Sequence, residues 1–127
     1  MKVADSSYLV EGLLKRKELF EPDVLVTLDL AVYEVSNSIW KHEFLLKDVT
    51  RGSEYLSILW GLIESGRIEL VHVGKDILEK AYLLAAETKR SVYDTVFVEL
   101  ALELGSELST CDRRQAELFN RVVQGKN

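Results

Sequence analysis

The chain has 127 residues, a formal net charge of -5 at pH 7 and a hydrophobic content of 47%. This length and hydrophobic content suit one domain with a single buried core. The acidic balance argues against a protein that coats nucleic acid through its overall charge, although it leaves room for a local basic rim. No repeat, low-complexity tract or Pro/Gly/Ser-rich linker divides the sequence, so we predict a single domain over residues 1–127.

Strand-like and helical segments alternate along the chain. The predicted strands are Lys2–Asp5, Val24–Thr27, Ile68–Val73 and Glu107–Cys111, with a weaker one at Arg121–Val123. The predicted helices are Ser7–Lys17, Asp29–Phe44, Thr50–Glu64, Lys75–Thr88, Val92–Leu104 and Arg113–Phe119. Strands that alternate with helices indicate an α/β fold: a three-layer α/β/α domain whose central sheet is mainly parallel and covered on both faces.

Four acidic residues lie just after or within these apolar segments. Asp5 stands where the first strand runs into a helix, and Asp112 repeats this arrangement after the fourth strand. Ligands of open α/β sheets bind outside the carboxyl ends of the strands, so we expect both acids to face that crevice. Glu34 lies in the second predicted helix, and Asp94 lies in the first turn of the fifth.

Each acid, taken alone, also has an ordinary structural explanation. Asp5 and Asp112 could be helix N-caps, whose side chains accept backbone N–H bonds worth about 1 kcal/mol. Glu34 could lie on a solvated helix face that it shares with Asn37. A functional interpretation therefore depends on the combination of acids and not on any one of them.

Asp94 belongs to the most informative helix of the sequence. The segment Val92–Leu104 is apolar nearly all round, and a helix of this kind is buried. Ser91 followed three residues later by Asp94 has the form of a capping box, which is the ordinary explanation for this acid. A carboxylate in the first turn of a buried helix is nevertheless costly unless it is paired or bound to a cation.

Four stretches of the sequence contain these acids, and in chain order they are VADSSYLVE, AVYEVSNSIWK, SVYDTVFVELALELG and LSTCDRRQAEL. The four stretches resemble the motifs of the PIN-domain family, the metal-dependent ribonuclease fold that includes the VapC-type toxins of prokaryotic toxin-antitoxin pairs. The resemblance implies that the catalytic and metal-binding acids are Asp5, Glu34, Asp94 and Asp112. It also implies supporting polar roles for Ser6, Asn37 and Thr110.

The same resemblance implies a function, a cofactor and partners. We expect an endoribonuclease that depends on Mg²⁺ or Mn²⁺, the hard cations that suit an all-oxygen ligand set. We also expect an RNA substrate, a cognate antitoxin and a homodimer. Some family members carry a further acid where Arg114 and Gln115 stand here, so the number of metal ions stays open. The alternative function is a PIN scaffold that binds RNA or protein with little or no turnover.

Other residues carry weaker expectations. Arg113 and Arg114 directly follow Asp112, and their guanidinium groups are candidates for contact with a substrate phosphate. We expect Cys111, the single cysteine, to be a small core residue of the fourth strand. The lone cysteine, and the lack of a signal peptide or a long apolar run, indicate a cytoplasmic protein with no membrane association.

The segment Tyr55–Ile63 has more apolar residues than one buried helix face requires. We expect the surplus to lie in an interface, which agrees with a homodimer of closed two-fold symmetry. The alternative is that Ile58 and Trp60 pack under a loop of the same chain.

Overall fold

The computed structural model describes residues 1–125. Its strands are β1 (Lys2–Ala4), β2 (Leu25–Leu28), β3 (Ile68–Val71) and β4 (Leu108–Ser109). Its α-helices are α1 (Ser6–Leu14), α2 (Asp29–Lys41), α3 (Gly52–Glu64), α4 (Lys75–Thr88), α5 (Val92–Glu103) and α6 (Arg113–Gly125). A 3-10 turn at Lys17–Phe20 follows α1, and a π-helical turn at His42–Leu46 follows α2.

The four strands form one parallel sheet in the order β3-β2-β1-β4. Val3 of β1 lies opposite Val26 on one side and Leu108 on the other, so β1 is an inner strand. Helices α1, α2 and α3 pack against one another, and α5 packs against both α4 and α6. The predicted α/β/α fold with a parallel central sheet is therefore confirmed.

The strand expected at Arg121–Val123 is wrong, because these residues continue α6 to Gly125. In this helix Gln115 and Leu118 are buried and Val122 is partly buried, so the inward positions recur every three or four residues. This spacing is helical, and it prevails over the preference of two adjacent valines for a strand.

Helix α5 is buried through its middle, as its composition predicts. All residues from Thr95 to Ala101 are buried, whereas Tyr93 and Leu104 near its ends are exposed. The helix packs against β1 and lies between α4 and α6. It thus fixes the first turn, which carries Asp94, relative to the sheet.

Two helices expose apolar side chains. Ile58 and Trp60 on α3 are 47% and 50% exposed, so the alternative in which they pack under a loop is wrong. Leu78, Tyr82 and Leu83 on α4 are also exposed. Among residues 1–125, no helix has both the length and the apolar character needed to cross a bilayer.

Two glycines allow a test of the packing between α1 and the 3-10 turn. A Cβ added to Gly12 would lie 2.6 Å from the buried Phe20 ring, whereas one added to Gly61 on α3 would meet nothing within 4 Å. We expect Gly12→Ala to destabilise the protein by about 1–2 kcal/mol through overpacking, and Gly61→Ala to stabilise it by about 0.5–1 kcal/mol through helix propensity. Urea unfolding of both variants measures the difference, and an equal effect of the two would contradict it.

Candidate active site

Asp5 lies at the carboxyl end of β1, beside the end of β4. Its side chain is buried, and its carboxylate accepts three hydrogen bonds. Oδ1 accepts hydrogen bonds from Ser7 Oγ at 2.7 Å and from the backbone nitrogen of Tyr8 at 3.1 Å. Oδ2 accepts from Thr110 Oγ1 at 2.5 Å. The hydrogen bond from Tyr8 makes Asp5 the N-cap of α1. Asp5 therefore caps this helix and also lies at the crevice beyond the carboxyl ends of the strands.

Ser7 and Thr110 also hold the loop that follows β4. Ser7 Oγ accepts from the backbone nitrogen of Cys111 at 3.0 Å, and Thr110 Oγ1 accepts from that of Asp112 at 3.0 Å. Each hydroxyl therefore gives its one proton to Asp5 and accepts a backbone proton in return. Sequence reasoning missed Ser7, although a hydroxyl two residues after an N-cap acid is a usual local hydrogen-bonding partner.

Asp112 directly precedes α6, and its side chain is exposed. Its Oδ1 accepts from the backbone nitrogens of Arg114 at 2.9 Å and Gln115 at 3.3 Å. These bonds satisfy the free N–H groups of the first turn. Because the cap uses Oδ1, it is compatible with a second role for Oδ2.

Glu34 projects from α2 with one buried oxygen, Oε1, that has no hydrogen-bond partner among residues 1–125. Burial raises the pKa of Glu34, the Ser6 hydroxyl opposes this, and the charges of Asp94 and Asp5 raise it further. Burial likewise raises the pKa of Asp5, against the hydrogen bonds it accepts and with a contribution from Asp112. The charges of Asp94 and Asp5 thus act on Glu34, and the charge of Asp112 acts on Asp5.

Asp94 has a different partner from the one its sequence context predicts. Its backbone nitrogen donates to Ser91 Oγ at 3.2 Å, so Ser91 caps α5. The Asp94 carboxylate instead accepts from Arg90 Nη2 at 3.0 Å, and its side chain is 39% exposed. Only half of the expected capping box is present, and the carboxylate is paired with a cation.

The three residues with predicted supporting roles, Ser6, Asn37 and Thr110, have different surroundings. Ser6 lines a cleft of about 340 Å³ together with Glu34, Ser38 and His42. Thr110 bonds to Asp5, as described above, whereas Asn37 is exposed on α2. The roles of Ser6 and Asn37 stay predictions.

The two arginines after Asp112 are both exposed. The Arg113 side chain is 92% exposed, and its Nε donates to Glu117 Oε1 at 3.3 Å along α6. The backbone of Arg114 bonds to both Asp112 and Arg90. Contact of either guanidinium group with a substrate phosphate stays a prediction.

The expectation that Cys111 is a core residue is wrong, because this residue is exposed. Strand β4 ends at Ser109, so Cys111 lies in the following loop and not in the sheet. Its thiol contacts Arg16, whose Nη2 lies 4.0 Å from Sγ.

The acids are suited to a hard divalent cation by their chemistry, since all of their side-chain donors are carboxylate oxygens. The partnerless Glu34 Oε1 fits this interpretation, because a buried acceptor without a donor is a favourable ligand for a cation. Within residues 1–125, however, no three His, Cys, Asp or Glu side chains already stand close enough to hold a metal ion. Direct coordination of one ion by three of these acids would require their side chains to move closer together.

Fold and site together define a class: a parallel α/β/α domain with acids, Asp5 and Asp112, just after the carboxyl ends of two adjacent strands. A model of the PIN domain matches residues 3–120. The chain is also 39% identical over 99 residues to Ribonuclease VapC3 of Pyrobaculum aerophilum, an alignment that covers 78% of this chain and 74% of that protein. The chain therefore belongs to the PIN domain family.

Solved structures share the fold at low sequence identity. PAE2754 from Pyrobaculum aerophilum superposes with a TM-score of 0.72 at 21% identity, covering 97% of this chain and 95% of that one. VapC20 of Mycobacterium tuberculosis, described as a sarcin-ricin loop cleaving toxin, gives 0.71 at 16% identity over 92% and 94% of the two chains. A toxin-antitoxin complex from Klebsiella pneumoniae gives 0.67 at 16% identity over 91% and 89%.

The environment of Glu34 predicts how the metal-free protein responds to Glu34→Gln. A folded-state pKa above the ordinary value of 4.5 means that ionised Glu34 destabilises the fold once the pH exceeds the unfolded-state pKa. In EDTA at pH 7 we therefore expect Glu34→Gln to melt above wild type. The difference should shrink toward pH 4, where the glutamate is largely protonated in both states.

Differential scanning calorimetry at the two pH values measures this effect. Glu87→Gln, an exposed position on α4, is the matched control and should change the melting temperature little at either pH. A Glu34→Gln protein that melts below wild type at pH 7 would contradict the expectation.

Proposed function

We propose that the protein is a metal-dependent endoribonuclease that cleaves RNA phosphodiester bonds and acts as the toxin of a toxin-antitoxin pair. The structural observation that carries this proposal is Glu34 Oε1, which is buried without a partner in a region influenced by Asp5 and Asp94. The 39% identical relative is named a ribonuclease, and that name supports the same activity here.

We propose Asp5, Glu34, Asp94 and Asp112 as the residues that would hold Mg²⁺ or Mn²⁺. Such an ion, when bound, polarises a phosphodiester and lowers the pKa of a bound water. Ser7 and Thr110 hold the Asp5 carboxylate in one orientation through their hydrogen bonds. Tyr8 contributes the third bond through its backbone, so Asp5 is the most firmly positioned of the four acids.

We propose that residues bordering the acids contact the RNA substrate. The cleft beside Glu34 has hydroxyl groups at Ser6 and Ser38, which can donate to phosphate or ribose oxygens. Arg113 and Arg114 directly follow Asp112 and are exposed, so their guanidinium groups can pair with a backbone phosphate. Local cationic groups of this kind allow an acidic protein to bind RNA.

We propose that the partners of the protein are a cognate antitoxin and a second copy of the chain. We also propose that the protein acts in the cytoplasm and that residues 1–127 form one domain. One fold neighbour is described as a toxin-antitoxin complex, which supports an antitoxin partner. The exposed apolar side chains of α3 and α4 supply surface that association would cover.

We expect the purified protein to cleave single-stranded RNA in Mg²⁺ or Mn²⁺ and to lose this activity in EDTA. Asp5→Asn should reduce cleavage more than about 100-fold, since loss of residues that only support a metal ligand already costs 10–100-fold. Asp76→Asn, an exposed acid on α4, is the matched control and should cleave at the wild-type rate. Gel analysis of a labelled RNA decides the matter: undiminished cleavage in EDTA, or by Asp5→Asn, would sink the proposal.

We expect a homodimer that uses the exposed apolar residues of α3. Light scattering at tens of micromolar should give twice the chain mass for wild type, and Ile58→Lys with Trp60→Lys should shift the protein to a monomer, because lysine opposes burial in an apolar interface. Leu83→Lys on α4 is the matched control. Dissociation by Leu83→Lys alone would place the interface on α4, and a monomeric wild type would contradict the dimer.

A further inference from the structure

Arg90 is a nearly buried cation beside the candidate site, with its side chain only 12% exposed. Its two terminal nitrogens reach two different elements. Nη2 donates to Asp94 Oδ2 at 3.0 Å, and Nη1 donates to the backbone carbonyl of Arg114 at 3.1 Å. One guanidinium group therefore joins the first turn of α5 to the first turn of α6, using the fork geometry that distinguishes arginine from lysine.

Gln115 makes a second link between the same two turns. Its side chain is buried, and Nε2 donates to the backbone carbonyl of Asp94 at 2.8 Å. Its other side-chain atom, Oε1, is buried with no partner among residues 1–125. A buried acceptor without a donor destabilises a fold, so stability alone does not account for a glutamine at this position.

The residues that hold Asp94 also hold Asp112. The backbone nitrogens of Arg114 and Gln115 both donate to Asp112 Oδ1. The Arg114 carbonyl also accepts a hydrogen bond from Arg90. The Gln115 side chain also donates one to the Asp94 carbonyl. The third and fourth acids are thus joined by a short, continuous set of hydrogen bonds.

We propose that Arg90 and Gln115 form a clasp between α5 and α6 that fixes the position of Asp94 relative to Asp112, and that both are positioning residues of the metal site. This inference rests on the proposed function. No three acids within residues 1–125 are already gathered around a common point. The position of each carboxylate before the ion binds therefore affects the affinity for a metal ion. Arg90 bonds Oδ2 of Asp94, and this leaves Oδ1 as the oxygen for the cation.

The charge of Arg90 introduces an opposing effect, because a cation near the site repels a metal ion. A test of positioning must therefore keep the charge constant. Arg90→Lys retains the positive charge but loses the fork that reaches two acceptors at once. Gln115→Met changes no charge and retains most of the side-chain volume, but removes the donor to Asp94.

We expect both variants to bind Mn²⁺ about 10-fold more weakly than wild type, within the range seen when residues that orient metal ligands are replaced. Isothermal titration calorimetry and electron paramagnetic resonance of free Mn²⁺ measure this affinity without reference to cleavage. In RNA cleavage, the Mn²⁺ concentration for half-maximal rate should rise by the same factor, while KM for RNA at saturating Mn²⁺ stays unchanged.

Melting in EDTA separates positioning from misfolding, because Gln115→Met removes a partnerless buried oxygen and should melt at or above the wild-type temperature. Arg51→Lys is the matched control, since Arg51 pairs with Glu54 at 3.8 Å with both side chains mostly exposed. We expect it to bind Mn²⁺ like wild type.

The outcomes distinguish this inference from the proposed function. Wild-type affinity in both Arg90→Lys and Gln115→Met would overturn the clasp alone, and so would an equal loss in Arg51→Lys. A wild-type protein that binds no Mn²⁺, or an Asp94→Asn variant that binds it as tightly as wild type, would overturn the proposed metal site and the clasp with it.

Discussion

The hydrogen bonds accepted by the Asp5 carboxylate connect three parts of the chain that are distant in sequence. Asp5 ends β1, Ser7 and Tyr8 begin α1, and Thr110 follows β4. Strand order makes this possible, because β1 and β4 are neighbours and their carboxyl ends meet at one edge of the sheet. The same hydroxyl groups accept from the backbone of the β4 loop, so the position of Asp112 depends on Asp5. The buried Asp5 carboxylate thus fixes the backbone at the start of both α1 and α6.

Carboxylates concentrated in one region repel one another, and the structure relieves this repulsion differently at each. Asp5 is held by three donors, Asp94 is paired with Arg90, and Asp112 is exposed and accepts helix N–H bonds. Glu34 has the least compensation, since its Oε1 is buried with no partner in residues 1–125. Its surroundings should therefore change most when a cation enters the site.

Much of the fold could be predicted from sequence, because strand-like runs and helical spacing are local signals, and the positions of Asp5 and Asp112 after two paired strands follow from the same signals. The link that Arg90 and Gln115 make between α5 and α6 could not, since Arg90 donates to a carbonyl 24 residues away and Gln115 to one 21 residues away. The error at Cys111 came from the length of β4, which pairing with β1 limits to two residues. At Arg121–Val123, the helical spacing of the inward positions of α6 prevailed over strand propensity.

The shortness of β4 also bears on how molecules of this protein meet. Edge strands offer unpaired backbone groups to other chains, and proteins avoid aggregation when such strands are short or carry charge. Leu108–Ser109 is too brief to template an added strand, and the opposite edge, β3, carries the exposed Glu69. Continuous growth of the sheet from one molecule to the next is therefore disfavoured at both edges. Contacts between molecules are left to helical surfaces, whose side chains can select a particular partner.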